Sequence, residues 1–259
     1  MGKLKNIKVK NTQQNKQKNE FLEQISSKLK WLDPFTYVDL FILPKINPNN
    51  DKKIEIIVYL VSAFIFAYVL YNYVLAFLLG TQAPIVIVYS GSMEPTLYRG
   101  DVVFLKGFNL NEAKVSEAKI DLPISNTPLR EFAKPIFETN DNGKKTLIGI
   151  EIENNFYAID KQGPIIVYQS KNFGEDIIHR AVLKIVAKDG TFFLTLGDNN
   201  NAFDQDCPEK LLNSKLCISP YPIKTENIKG TYFFHIPLIG HLKLILFDGL
   251  MSLLKLFLK

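Results

Sequence analysis

The chain has 259 residues, 47% of them hydrophobic, and a formal net charge of +5. That length holds a membrane anchor and one medium domain, or two small ones. Residues 1–31 carry eight Lys against two Glu, leaving 23 basic and 24 acidic residues for the rest, so the positive excess belongs to the tail alone and argues against a nucleic-acid-binding face on the main domain.

The tail, KNIKVKNTQQNKQKNE, lacks the apolar residues needed to build a core and is expected to be largely disordered. Residues 20–48 are apolar but interrupted by Asp33, Pro34 and Asp39. That stretch is too broken to span a bilayer and reads as an interfacial segment, so residues 1–50 form a basic cytoplasmic tail plus a membrane-surface element. From Ile56 to Leu79 there are 24 residues without a charge. At about 1.5 Å per residue they cross the ~30 Å hydrocarbon layer, predicting a transmembrane anchor over 54–80. Lys45, Lys52, Lys53 and the basic tail precede it, so the positive-inside bias places the N-terminus in the cytoplasm and everything after Leu79 outside it.

Beyond the anchor the texture changes to short β-branched and aromatic runs separated by turn signals, predicting a mainly β domain over 84–235. Strands are expected at 85–89, 101–105, 146–152, 155–159, 164–169, 177–187 and 191–196. Asn142-Gly143 and Asp189-Gly190 carry hairpin chemistry. Residues 107–140 mix charge, apolar residues and three prolines, and 107–162 is read as an insertion or cap. Cys207 and Cys217 are too few for a structural zinc site; a loop-closing disulfide and free thiols both remain open. After Pro237, His241, Asp248, Ser252, Lys255 and Lys259 fall on one helical stripe, so 237–259 is expected to be an amphipathic, membrane-associated helix rather than a second span.

The Asp189-Gly190 turn places chemistry. With 189 and 190 as the two loop residues, opposite positions sum to 379, so His179 faces Asn200 and Asp198 lies diagonally beside it. His179 can serve as a general base near neutral pH, and a carboxylate nearby can orient it.

The stretches SGSMEPTLYRGD at 90–101, DIIHRAV at 176–182 and GDNNNAFD at 197–204, in this order behind an anchor, resemble the type I signal peptidases. The variant resembled is the archaeal and endoplasmic-reticulum one, in which histidine stands where bacterial enzymes use lysine. The resemblance covers about 84–106 and 163–206. It implies a signal-peptidase-like β core and a membrane-bound serine endopeptidase that removes signal peptides from preproteins. It implies Ser92 as nucleophile, His179 as base, and Ser90 with the Ser92 backbone N–H as oxyanion donors. The family pattern lands the orienting aspartate on Asp204, with Asp198 also important; here Gln205 separates Asp204 from Asp206 where the commoner spelling has adjacent aspartates, which leaves the choice between Asp204 and Asp198 open. Met93, Glu94, Pro95, Arg99 and Asp101 read as scaffold. No metal or organic cofactor is implied. The expected partners are signal peptides, membrane lipid and the protein-translocation channel, in a cell membrane of archaeal type or an endoplasmic-reticulum membrane, the first favoured by the small layout and basic tail.

Overall fold

The computed structural model describes residues 30–241 and divides the chain into two units, 1–74 and 75–259. The expected tail and most of the C-terminal amphipathic helix lie outside the described residues.

In the first unit, Asp33 caps a short helical stretch by accepting from Phe35 N at 3.0 Å, and irregular helical turns run on to Ile46. The helix α1, Lys52–Leu79, whose last five residues count with the second unit, then begins at Asp51, whose side chain accepts from Lys53 N at 2.8 Å. It widens to π-type turns over Leu70–Leu75 and stops at Gly80, which takes the left-handed conformation that ends helices. Phe64 and Phe77 are 70% and 86% exposed, the pattern of a helix whose natural surroundings are apolar. By length and composition α1 is able to cross a membrane.

The second unit is mainly β. Its large sheet uses β1 (Ile85–Ile87), β2 (Val102–Lys106), β3 (Glu117–Lys119), β7 (Ile165–Gln169), β8 (Asp176–Ala187), β9 (Gly190–Leu196), β10 (Ile223–Lys224) and β11 (Ile228–Ile236), in the order β1-β2-β11-β7-β8-β9-β10. Neighbours along that path are antiparallel, while β3 runs parallel to the end of β8. A three-stranded accessory sheet, β4 (Ala133–Thr139), β5 (Lys145–Ile152) and β6 (Asn155–Ala158), occupies much of the region expected to be a loop or cap. β4 escaped the sequence reading because of Pro135; as an edge strand it spares that residue a ladder donor. β11 was not anticipated either. Gly230 and two register shifts interrupt its alternation, yet it lies centrally between β2 and β7.

β8 is the spine. Its first part pairs with β7, placing Ile166 opposite His179, and its second part pairs with β9. The expected β8–β9 register is wrong. Ala187 pairs with Gly190, so Lys188 and Asp189 form the turn, and a bulge between Ala181 and Leu183 shifts the register again. Asp189 is drawn into the turn because its carboxylate accepts from Ile124 N at 3.0 Å and Ser125 N at 2.8 Å, fastening the chain that leads from β3. His179 therefore does not face Asn200. The other expected turn, at Asn142-Gly143, does join two strands: Gly143 has φ 74°, and Asn140 closes a five-residue connection between Thr139 and Lys145.

Two apolar clusters matter for the site. Val88, Met93, Leu97, Val103, Leu105 and Val167 pack beneath the β1–β2 connection. Leu183, Ile185, Leu194 and Phe203 pack with Leu147, Ile150 and Ile152, joining the accessory sheet to β8 and β9. Cys207 and Cys217 form a disulfide, which resolves the open alternatives in favour of the bonded pair.

Candidate active site

Ser92 lies in the connection between β1 and β2. Val88 N donates to Asp101 O and Gly100 N to Val88 O, extending that hairpin past its strands before the chain turns. Met93, fully buried, accepts through its carbonyl from Thr96 N and Leu97 N, forming one helical turn directly after Ser92. Burial of Met93 and Leu97 on either end of that turn fixes the serine in a half-buried position. Ser90, expected as an oxyanion donor, lies two residues before Ser92. The chain is bent there, and the bend brings their hydroxyls to 3.1 Å, closer than the roughly 6.6 Å advance over two extended residues would suggest.

His179, 4% exposed, is presented by β8 with both ring nitrogens engaged. Nε2 is 2.8 Å from Ser92 Oγ and Nδ1 is 2.7 Å from Asp204 Oδ2. This arrangement suits a neutral imidazole that carries its proton on Nδ1, donates it to the carboxylate and accepts from the serine hydroxyl at Nε2. Asp204 Oδ2 also accepts from Tyr168 OH at 2.8 Å and from Thr195 Oγ1 at 2.6 Å. Three donors on one oxygen hold the carboxylate against His179.

Asp198 does different work. Arg180 grips it with Nε on Oδ1 and an Nη on Oδ2, both at 2.7 Å, and Thr96 donates to Oδ2 at 2.5 Å. Arg180 also donates to Gly163 O at 2.7 Å. The pair ties the strand of His179 to the turn that follows Ser92. Gly197 and Asn199 complete the tie. Asn199 N donates to Ser92 O at 2.8 Å and its side chain donates to Gly91 O at 3.2 Å, while a Cβ on Gly197 would stand 2.6 Å from Ser92 O. Only a residue without a side chain fits there.

Electrostatics follow from this packing. Burial of His179 pushes its pKa down, but the charge and hydrogen bond of Asp204, with a smaller contribution from Asp198, outweigh that and raise it above 6.5. Burial and the neighbouring Asp204 charge push the Tyr168 phenol well above 10, so it is a neutral donor. Burial raises Asp198, yet the Arg180 and Thr96 hydrogen bonds win and hold it below the usual carboxylate range.

The structure thus brings Ser90, Ser92, His179 and Asp204 into one hydrogen-bonded chain and sets Asp198 beside it in an ion pair. Sequence reasoning missed Tyr168, Thr195, Arg180 and Gln205. Gln205 is buried, accepts from Thr195 N at 2.9 Å and donates to Thr195 Oγ1 at 2.9 Å. Thr195 Oγ1 is thereby left with its proton for Asp204. The departure from adjacent aspartates was the one available signal for it. Asp101, read as scaffold, is buried and accepts from Tyr98 N at 2.8 Å and Leu238 N at 3.2 Å. Among the described residues no cluster of three or more His, Cys, Asp or Glu is placed to hold a metal.

No family model matches the chain. It is similar to three fungal proteins, each a signal peptidase complex catalytic subunit SEC11. Identity is 24% to that of Clavispora lusitaniae, over 68% of this chain and 73% of that protein. It is 29% to that of Sclerotinia sclerotiorum, over 64% and 65%, and 28% to that of Schizosaccharomyces pombe, over 67% and 72%.

Proposed function

We infer from the chain's homology to the endoplasmic-reticulum type of signal peptidase I that it is a membrane-bound serine endopeptidase removing N-terminal signal peptides from preproteins. The observation that carries the mechanism is the run Ser92 Oγ, His179 Nε2, His179 Nδ1, Asp204 Oδ2, with contacts of 2.8 Å and 2.7 Å.

Ser92 Oγ attacks the scissile carbonyl as its proton passes to His179 Nε2. The carbonyl oxygen becomes an oxyanion, met by the Ser92 backbone N–H and the Ser90 hydroxyl. His179 returns the proton to the leaving amine, which departs as the new N-terminus of the mature chain. The acyl-enzyme ester left on Ser92 is attacked by a water whose proton passes to His179 and from it to Ser92 Oγ as the ester bond breaks, releasing the signal peptide and restoring the serine. Asp204 keeps the imidazole in the tautomer with an acceptor at Nε2 and stabilises the imidazolium in each transfer.

A signal peptide stays in the bilayer with its cleavage site emerging at the surface. Ser92 lies thirteen residues beyond Leu79, and at most about 3.3 Å per residue separates a nucleophile so placed from the anchor's end. Anchor and site therefore suit the same substrate. The N-terminus is cytoplasmic and the catalytic unit lies across the membrane. The fungal relatives, named as subunits of a complex, support an endoplasmic-reticulum setting and companion subunits over the archaeal cell membrane. Proximity to the translocation channel follows from the substrate. A non-catalytic scaffold subunit of the same fold is disfavoured because the whole hydrogen-bonded run is present.

The test is cleavage of a preprotein by the full chain and by Ser92→Ala, with sequencing of the new N-terminus. Cleavage after a small residue at the end of the signal peptide, lost in the variant, is expected. Equal cleavage by both proteins would overturn the reading.

A further inference from the structure

Asp204 rides on a segment, 197–207, that has no regular secondary structure. Thr195 of β9 and the chain at Ser219 hold Asp204 itself, since Asp204 N donates to Thr195 O at 2.9 Å and Ser219 N donates to Asp204 O at 3.1 Å. The nucleophile turn holds Asn199. Between those two points the segment is fastened to the accessory sheet. Asn201 Oδ1 accepts from Leu147 N at 2.7 Å and Asn201 Nδ2 donates to Lys145 O at 2.7 Å. Leu147 and Lys145 belong to β5, on the side where its partner β6 has already ended at the Gly149–Ala158 pair. The carboxamide therefore takes the place of the next strand on a free edge. Two residues on, Phe203 is buried against Leu147, Leu194 and Leu196. Arg130 Nε, just before β4, donates to Asp206 Oδ1 at 2.7 Å.

We propose that the accessory sheet is the brace for the orienting carboxylate, and that Asn201 is a positioning residue that fixes the segment carrying Asp204 against His179. The inference rests on the peptidase reading given above. The Arg130–Asp206 pair is a secondary tether, because the arginine side chain is about half exposed and an exposed ion pair is worth little.

Asn201 is exposed, whereas Leu147 and Phe203 are 2% and 3% exposed. Packing thus secures the accessory sheet, and water can satisfy Leu147 N and Lys145 O without the carboxamide. Removing it frees the middle of the segment without opening the core. A displacement of Asp204 by even a fraction of an ångström lengthens a contact on which base strength depends.

The test uses the full detergent-solubilised chain and an internally quenched peptide carrying an apolar stretch followed by Ala-x-Ala. Asn201→Ala is expected to lower kcat by about tenfold or more with KM little changed. The acidic limb of the pH profile is expected to move down toward 6.5, because His179 loses part of the Asp204 interaction that raises it. The imidazole meets Ser92 and Asp204 directly, Tyr168 donates to the same carboxylate, and Asp198, paired with Arg180, adds its charge. Asn201→Asp keeps the acceptor for Leu147 N and is expected to fall between wild type and the alanine variant. An acidic limb that stays in place in Asn201→Ala would overturn the proposal, and so would a loss of activity that goes with a fall in melting temperature. Inactive wild-type protein would instead defeat the peptidase reading itself.

Discussion

Replacing Asp204 by asparagine changes one atom and tests the site at its buried end. The carboxylate has no exposed surface, and its Oδ2 takes donors from His179, Tyr168 and Thr195 at 2.7, 2.8 and 2.6 Å. Oδ1 is buried without a partner. If the amide oxygen took the Oδ2 position, the NH2 group would be left in the Oδ1 position with nothing to receive it, a cost of about 1–3 kcal/mol. The amide avoids part of that cost by flipping, which turns an N–H toward His179 Nδ1. The imidazole must then accept at Nδ1 and carry its proton on Nε2, where it donates to Ser92 instead of accepting from it. With the base in the wrong tautomer, kcat is expected to fall by about 10³- to 10⁴-fold, or about 4–5.5 kcal/mol of barrier, with KM nearly unchanged. The assay is steady-state cleavage of the quenched peptide, run beside Asp198→Asn. Asp198 meets Arg180 and Thr96, not the imidazole, so its loss should be the smaller. Asp204→Asn retaining more than a tenth of wild-type kcat while Asp198→Asn abolishes it would refute the assignment and make Asp198 the orienting acid.

Activity should rise with pH through a value above 6.5, since His179 acts as a base only when neutral and Asp204 raises its pKa; a flat kcat/KM profile from pH 5.5 to 8.5 would exclude a histidine base. The same shift acts oppositely on stability. A raised folded-state pKa stabilises fully below the unfolded value and loses that contribution as pH rises through the folded value, so the melting-temperature difference between wild type and His179→Gln should shrink with rising pH. Gly197→Ala places a Cβ 2.6 Å from Ser92 O, and the backbone must give way; a roughly 100-fold loss of kcat in a folded protein is expected, checked by kinetics and circular dichroism. Replacing both Cys207 and Cys217 by alanine opens a loop spanning a separation of 10 residues and should lower stability to denaturant by about 2–3 kcal/mol.

The parts of this protein legible in its sequence are those written locally. An uncharged run long enough to cross a bilayer and alternating β-branched runs announce themselves, as do Ser92 and His179 through their neighbours. What could not be read depends on contacts far apart in the chain. Tyr168 reaches Asp204 across 36 positions, and Thr195 is useful only because Gln205 keeps its hydroxyl pointed. The expected β8–β9 turn is one residue late, because Asp189-Gly190 has hairpin chemistry by itself, whereas Gly190 pairs with Ala187 and the Asp189 carboxylate is claimed by Ile124 and Ser125, more than sixty positions away. The strands β4 and β11 were hidden by Pro135 and Gly230, residues that local rules treat as breaks and that an edge position and a bulge accommodate. Asn201 offered no signal at all, because its value lies in an unpaired edge of β5 that exists only in the folded chain.

In the proposed mechanism Ser92 and His179 act as one unit, and a double-mutant cycle measures that directly. Cleavage rates would be compared for wild type, Ser92→Ala, His179→Ala and the double variant on the quenched peptide. If proton transfer between the two side chains is the catalytic event, the double variant should be no slower than either single one beyond a few-fold. Losses that multiply in the double variant would show two residues working independently, and would contradict the mechanism.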